Sequence, residues 1–197
     1  MDDRRFWQDH LKRFPDIRAV TFGSKTVAEN EAIFRRAAAQ FRSYVDEDLP
    51  SAGSRGSALE IGYGLGHFTR VKKDLGFREC TAVDFAAPPG PLLGPRYTYL
   101  RRDAGERWDL GRRFDLVTAI DVLFHITDDA RFETALDNIR LHAHAGGVVY
   151  VTGRMEDRTF PDAPQVVCRS LERFRRLGTL IRLEPWRNNA IACFRAP

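Results

Sequence analysis

Ala58-Leu59-Glu60-Ile61-Gly62-Tyr63-Gly64-Leu65-Gly66 joins a short apolar run to three closely spaced glycines. ALEI (58–61) reads as a short apolar strand, and HFTRVKKDLGF beyond the glycines reads as a helix that closes near Gly76. Three glycines at alternate positions between a strand and a helix mark a sharp turn. Glycine has no Cβ, so the backbone bends tightly there and lets a ligand come close. Such a turn also sets the helix N-terminal amides beside whatever is bound. In an open parallel sheet, ligands sit in the crevice beyond the strand C-termini. A glycine-rich turn alone equally fits a purely structural bend, so its surroundings decide.

Moving outward, strands and helices alternate. CTAVDF (80–85), YTYL (97–100), the strongly apolar FDLVTAI (114–120) and VVYVT (148–152) read as further strands. Thr127 is read as the N-cap of a helix with Asp128 and Asp129 in its first turn, where negative charge complements the dipole. Phe132, Ala135, Leu136 and Ile139 form its buried face, and Gly146 with Gly147 is expected to stop it. After a helix around LERFRRL, the segments TLIRLE and AIACFR are joined through PWRNN, whose Asn-Asn pair suits a turn. The expected fold is α/β and Rossmann-like. It has a mostly parallel seven-stranded sheet, helices on both faces and a C-terminal antiparallel hairpin. Upstream, Phe34, Ala38, Phe41 and Val45 make an apolar stripe on a helix, and PSAGSRGS (50–57) reads as a loop. This divides the chain into a helical extension or lid, residues 1–57, and a main domain, residues 58–197.

Acids stand at the strand ends. Glu60 lies two residues before the first glycine, Asp84 ends the second strand beside Phe85, and Asp103 follows the third. A carboxylate at the second-strand terminus can accept both hydroxyls of a ribose, and an adjacent aromatic can cover an adenine face. An acid after the third strand can accept from an exocyclic amine. Together they describe a nucleoside pocket rather than a phosphate cradle.

Residues 58 to 152 resemble the class I, Rossmann-like S-adenosylmethionine-dependent methyltransferases. ALEIGYGLG stands as the first motif, AVDF as the second-strand motif, RRDAGE as the third and AIDVLFHI as the fourth. The resemblance implies S-adenosyl-L-methionine as cofactor and S-adenosyl-L-homocysteine as product. It places Glu60 and the turn of Gly62, Tyr63, Gly64 and Gly66 against the methionine part. Asp84 would take the ribose hydroxyls, Phe85 would line the adenine, and Asp103 with Ala104 would meet the adenine edge. Asp121 would lie at the junction of cofactor and substrate. A dinucleotide-binding oxidoreductase is the nearest alternative, since it also uses a glycine turn and an acid about 20 residues on. Its spacing is GxGxxG, whereas this chain has GxGxG followed by His67.

A methyl acceptor bearing a proton needs a base, and His125, four residues after Asp121, is the candidate. His67 reads as a helix-start residue. The chain carries 31 Lys and Arg against 27 Asp and Glu, a net charge of +4, with basic and acidic residues interspersed rather than in one block. That pattern, with no helix-turn-helix, zinc-finger or P-loop signature, disfavours nucleic acid as partner. The Asn/Asp-Pro-Pro-aromatic signature of exocyclic-amine DNA methyltransferases is missing, and Ala87-Pro88-Pro89 lies in the wrong place. The expectation is a small, acidic methyl acceptor held by Arg154 and Arg158 after the fifth strand, with RNA or protein as the alternative acceptor. The 3 cysteines, Cys80, Cys168 and Cys193, are odd in number and far apart, which argues against disulfides and a metal site. No apolar run of membrane-spanning or signal-peptide length is present. A cytoplasmic monomer or homodimer is expected.

Overall fold

Apolar residues occupy consecutive positions along the central strands because helices cover both faces of their sheet. The structure, a computed structural model, describes residues 3–14, 16–49, 55–86, 97–156 and 165–197. Its strands are β1 (Ser57–Ile61), β2 (Glu79–Asp84), β3 (Tyr97–Arg101), β4 (Phe114–Ala119), β5 (Ala143–Gly153), β6 (Thr179–Trp186) and β7 (Asn189–Arg195). They form one sheet in the order β3-β2-β1-β4-β5-β7-β6. The first five pair in parallel, and β7 runs antiparallel to both β5 and β6. The order reverses between β1 and β4, which opens the crevice where ligands bind in such sheets.

Neighbouring residues on each strand point to opposite faces. Ala58, Leu116, Val148 and Cys193 join one core with helices α2 (Val27–Asp48) and α3 (His67–Asp74). Leu59, Val117, Val149 and Phe194 join the other with α4 (Asp129–His142) and the short α5 (Leu171–Phe174). Helix α2 opens with a complete capping box between Thr26 and Glu29. Its buried stripe is Phe34, Ala37, Phe41 and Val45, so Ala37 takes the inward position expected of Ala38, which is only half-buried. Helix α2, which the sequence places in the N-terminal extension, packs against α3 and the sheet: Phe41 meets Phe68 and Tyr150 at ring separations of 5.7 and 5.4 Å. Asp48 at its C-terminal end accepts hydrogen bonds from Tyr150 and Arg182. Helix α1 (Asp3–Arg13) and a 3-10 turn, Ile17–Val20, lie ahead of it.

Three local expectations need correction. Asp128, not Thr127, caps α4, its side chain accepting the Arg131 amide at 2.8 Å. Gly146 and Gly147 do not end α4, which stops at His142; they lie inside β5, where the pairing with β4 shifts register. A Cβ on Gly147 would stand 2.9 Å from the Asp115 carbonyl oxygen, so close strand approach demands glycine there. The hairpin turns on Arg187 and Asn188, with Asn189 already in β7, rather than on the Asn-Asn pair. Arg187 adopts φ +50°. Residues 50–54 and Ala87-Pro88-Pro89 fall outside the described residues. Among the described residues no helix is long and apolar enough to cross a membrane.

Candidate functional site

The C-terminal ends of β1, β2 and β4 and the residues after β3 and β5 open on one cavity of about 500 Å³, roofed by α1 and the Ile17–Val20 turn. A volume of that order suits a ligand of cofactor size. Gly62 and Gly64 adopt φ of +73° and +50°, a backbone that favours glycine. A Cβ at Gly62 would fall 2.2 Å from Val122, and one at Gly64 2.8 Å from Val20. The turn is thus fixed by its dihedrals and by the two valines packed over it. Gly66, expected with them, serves instead as the N-cap of α3 and lies outside the cavity lining.

Asp84 ties the second strand to that turn. Its Oδ2 accepts the Gly64 amide and its Oδ1 the Ala86 amide, both at 3.0 Å. Burial pushes its carboxyl above the usual range in spite of those amides. Phe85 is half-buried and lines the same wall. Tyr63, 4% exposed, stands edge-on to Tyr99, and its buried hydroxyl finds no hydrogen-bond partner among the described residues.

Glu60 lines the cavity floor, but its charge is already matched. Lys72, fully buried on α3, donates to Glu60 Oε2 at 2.9 Å, and the Thr69 hydroxyl donates at 2.6 Å. The sequence reading aimed this carboxylate at the methionine part; the structure shows it braced first against the helix after the turn. Lys72 went unread, although it sits four residues after Phe68 on the helix's inward side, where a cation requires a buried partner.

Asp103 and Ala104 line the opposite end. Arg131 Nη2 meets both Asp103 oxygens at 2.9 Å, and Arg4 from α1 comes within 3.4 Å. Asn138 fixes the segment by donating to the Ala104 carbonyl at 2.9 Å. Asp121, just past β4, adopts φ +57° and accepts from the Thr152 hydroxyl at 3.0 Å and from Arg187 Nη1 at 2.7 Å.

His125 lies on the wall in a 3-10 turn, its ring 4.5 Å from Trp7 of α1 and 4.2 Å from Phe124. Its Nδ1 is 3.0 Å from the Gln165 carbonyl oxygen. A carbonyl only accepts, so Nδ1 carries the proton and Nε2 is the basic nitrogen of the neutral ring. His67 packs on Phe34 at 4.4 Å, and burial, aided by Arg70 and Arg187, lowers its pKa to about 4. It is neutral at physiological pH. Arg154 is on the wall, while Arg158 lies outside the described residues. The sequence reading missed Arg187. Nothing local marks it, because only the return of the hairpin tip over β4 brings it to Asp121, 66 residues away in the chain.

A mostly parallel sheet with this order, its glycine turn and its acid-ended strands define a Rossmann-like methyltransferase domain. A sequence profile of the methyltransferase domain matches residues 32–186, and the chain belongs to that family. A search of the curated proteins finds no significant match. Among solved structures, the 1,6-didemethyltoxoflavin-N1-methyltransferase of Burkholderia thailandensis, with its substrate and S-adenosylhomocysteine bound, is similar at 21% identity and a TM-score of 0.70. It covers 97% of this chain and 87% of its own. The magnesium protoporphyrin IX methyltransferase of Synechocystis PCC 6803, with S-adenosylmethionine bound, is similar at 13% identity and a TM-score of 0.70, covering 100% and 98%. The N-methyltransferase NodS of Bradyrhizobium japonicum WM9 is similar at 17% identity and a TM-score of 0.62, covering 83% and 97%. The fold is that of the class I S-adenosylmethionine-dependent methyltransferases.

Proposed function

We propose that this chain transfers the methyl group of S-adenosylmethionine to a small acidic molecule and releases S-adenosylhomocysteine. The observation that carries this reading is the locking of a half-buried strand-end acid to the glycine turn, Asp84 to Gly64, on the wall of a cavity that Phe85, Asp103, Ala104 and Asp121 also line. Buried polar atoms on that wall with no partner among the described residues, the Tyr63 hydroxyl among them, fit a site shaped for a polar ligand. In this reading Asp84 accepts the ribose hydroxyls, Phe85 lines the adenine, Asp103 and Ala104 meet its edge, and the glycine turn faces the methionine part. The cofactor supplies an electrophilic methyl group on its sulfonium.

What the chain adds is position. Aligning an acceptor with that methyl lowers the barrier by several kcal/mol through pre-set orientation alone. His125, with its proton fixed on Nδ1 by Gln165, takes the acceptor's proton at Nε2. Helix α1 lies over the cavity, with Trp7 against His125 and Arg4 toward Asp103, so it acts as the lid that excludes water and shapes the acceptor pocket. Phe6, Phe22 and Phe124 give that pocket an apolar wall, and Arg154 supplies a grip for an anionic group. Two structurally similar proteins are named for small acceptors, 1,6-didemethyltoxoflavin and magnesium protoporphyrin IX, which supports a small acceptor here. A cytoplasmic location belongs to the same reading.

Incorporation of labelled methyl from S-adenosylmethionine across metabolites paired as carboxylates and neutral analogues tests it. Label should enter the carboxylates, and Arg154→Ala should raise KM for them. Equal turnover of neutral analogues with an unchanged KM refutes the acidic acceptor. Label entering only RNA or protein refutes the small one.

A further inference from the structure

Among the described residues, two that are not glycine have positive φ, Asp121 at +57° and Arg187 at +50°, and they are bonded to each other. Backbone strain of this kind persists only where the surroundings over-determine it, and it gathers at ligand clamps. The pair is also incomplete. Arg187 Nη1 donates to Asp121 Oδ2 at 2.7 Å, while Nε and Nη2, the opposite edge of the guanidinium, are buried and have no acceptor among the described residues. Two residues on, the side-chain oxygen of Asn189 is likewise buried with no donor among the described residues. Both residues line the cavity. The Arg187 side chain is 11% exposed, and its guanidinium lies 4.5 Å over the Phe34 ring, which fixes its plane. Leaving buried donors unmade is costly, so such a set implies an occupant.

The edge formed by Nε and Nη2 is the one that meets a carboxylate with two parallel bonds, and an amide oxygen beside it suits an ammonium. We propose that Arg187 and Asn189, at the tip of the β6–β7 hairpin, hold an α-amino carboxylate, the amino-acid tail of the cofactor. The proposal rests on the methyltransferase reading above. The charges around the cavity support it. Glu60 is matched by Lys72, and Asp103 by Arg131 and Arg4. His67, the first residue of α3, is uncharged. Arg187, with one edge on Asp121 and the other edge open, supplies the cation that a buried tail carboxylate requires beside these acids.

The test compares two sulfur nucleosides by calorimetry: S-adenosylhomocysteine, which has the tail, and 5′-methylthioadenosine, which lacks it. Arg187→Met should weaken S-adenosylhomocysteine by about 10- to 100-fold and leave methylthioadenosine unchanged. Arg187→Lys keeps the charge but loses the two-pronged edge, and should fall between. Retained methylthioadenosine binding shows that the variants are folded with an intact nucleoside site. Equal S-adenosylhomocysteine affinity in wild type and Arg187→Met overturns the proposal and leaves the methyltransferase reading standing. Wild type binding neither nucleoside overturns both.

Discussion

Replacing Asp84 by asparagine separates ligand recognition from folding. In the folded chain both Asp84 oxygens accept backbone amides, from Gly64 and Ala86 at 3.0 Å. Asparagine keeps one acceptor and sets an N–H against the other amide, which loses one bond worth about 1–3 kcal/mol. Burial already pushes the Asp84 carboxyl above its usual range, so removing the charge returns desolvation energy of the opposite sign. A carboxyl raised in this way adds stability below its unfolded pKa and loses that gain as pH rises through the folded pKa. At neutral pH the charge therefore contributes nothing that asparagine forfeits. With about 2–4 °C per kcal/mol for a chain of this size, the lost bond lowers Tm by about 2–12 °C at most, and the returned desolvation energy reduces that shift. Cofactor binding behaves differently. At least one ribose hydroxyl loses a bond to a charged acceptor, about 1.5–3 kcal/mol, so Kd for S-adenosylhomocysteine should rise about 10- to 150-fold. Calorimetry and thermal melts on the same preparation measure both. A folded variant with an unchanged Kd refutes the assignment and leaves Asp84 as a brace of the turn.

Removing residues 1–24, which takes away α1 and the Ile17–Val20 turn but keeps the Thr26–Glu29 capping box, should lower turnover by about tenfold or more while Kd for S-adenosylhomocysteine moves less; full turnover would remove the lid. His125→Gln should lower kcat/KM for a proton-bearing acceptor by about 100-fold or more and flatten the rising limb of its pH profile, with cofactor affinity unchanged; an unaltered profile would show that His125 only packs against Trp7. Lys72→Met strands the buried Glu60 and should destabilise by about 3–5 kcal/mol in urea melts, whereas adding Glu60→Gln should restore most of it; additive losses would show the pair is not coupled. Asp48 is held below the usual carboxylate range, burial opposing but the Arg182 and Tyr150 hydrogen bonds prevailing, so Asp48→Asn should cost stability at neutral pH. The difference from wild type should vanish as pH falls through the folded pKa; a difference independent of pH would contradict this.

What was legible in the sequence was what local periodicity and spacing encode. The strands from Ala58 to Thr152 and the closing hairpin follow from apolar runs broken by turn residues, and the glycine turn from its alternation. Asp84, Phe85, Asp103 and Ala104 could be placed on the cavity because strand ends in a parallel sheet share one edge. Competition between adjacent capping residues was not legible: Thr127 and Asp128 can each cap, and tertiary position chose Asp128. Gly146 and Gly147 read as a helix stop because their role, close approach to β4, depends on a neighbour distant in sequence. Arg187 was missed for the same reason, since its partner Asp121 lies just past β4, 66 residues away.

The central claim is that the cavity over the glycine turn is built for a sulfur nucleoside and not for a dinucleotide. Calorimetric titration of the purified chain with S-adenosylmethionine, S-adenosylhomocysteine and NAD tests it most directly. Saturable one-to-one binding of both sulfur nucleosides and no heat from NAD are expected. Binding of NAD with no response to either sulfur nucleoside would contradict it.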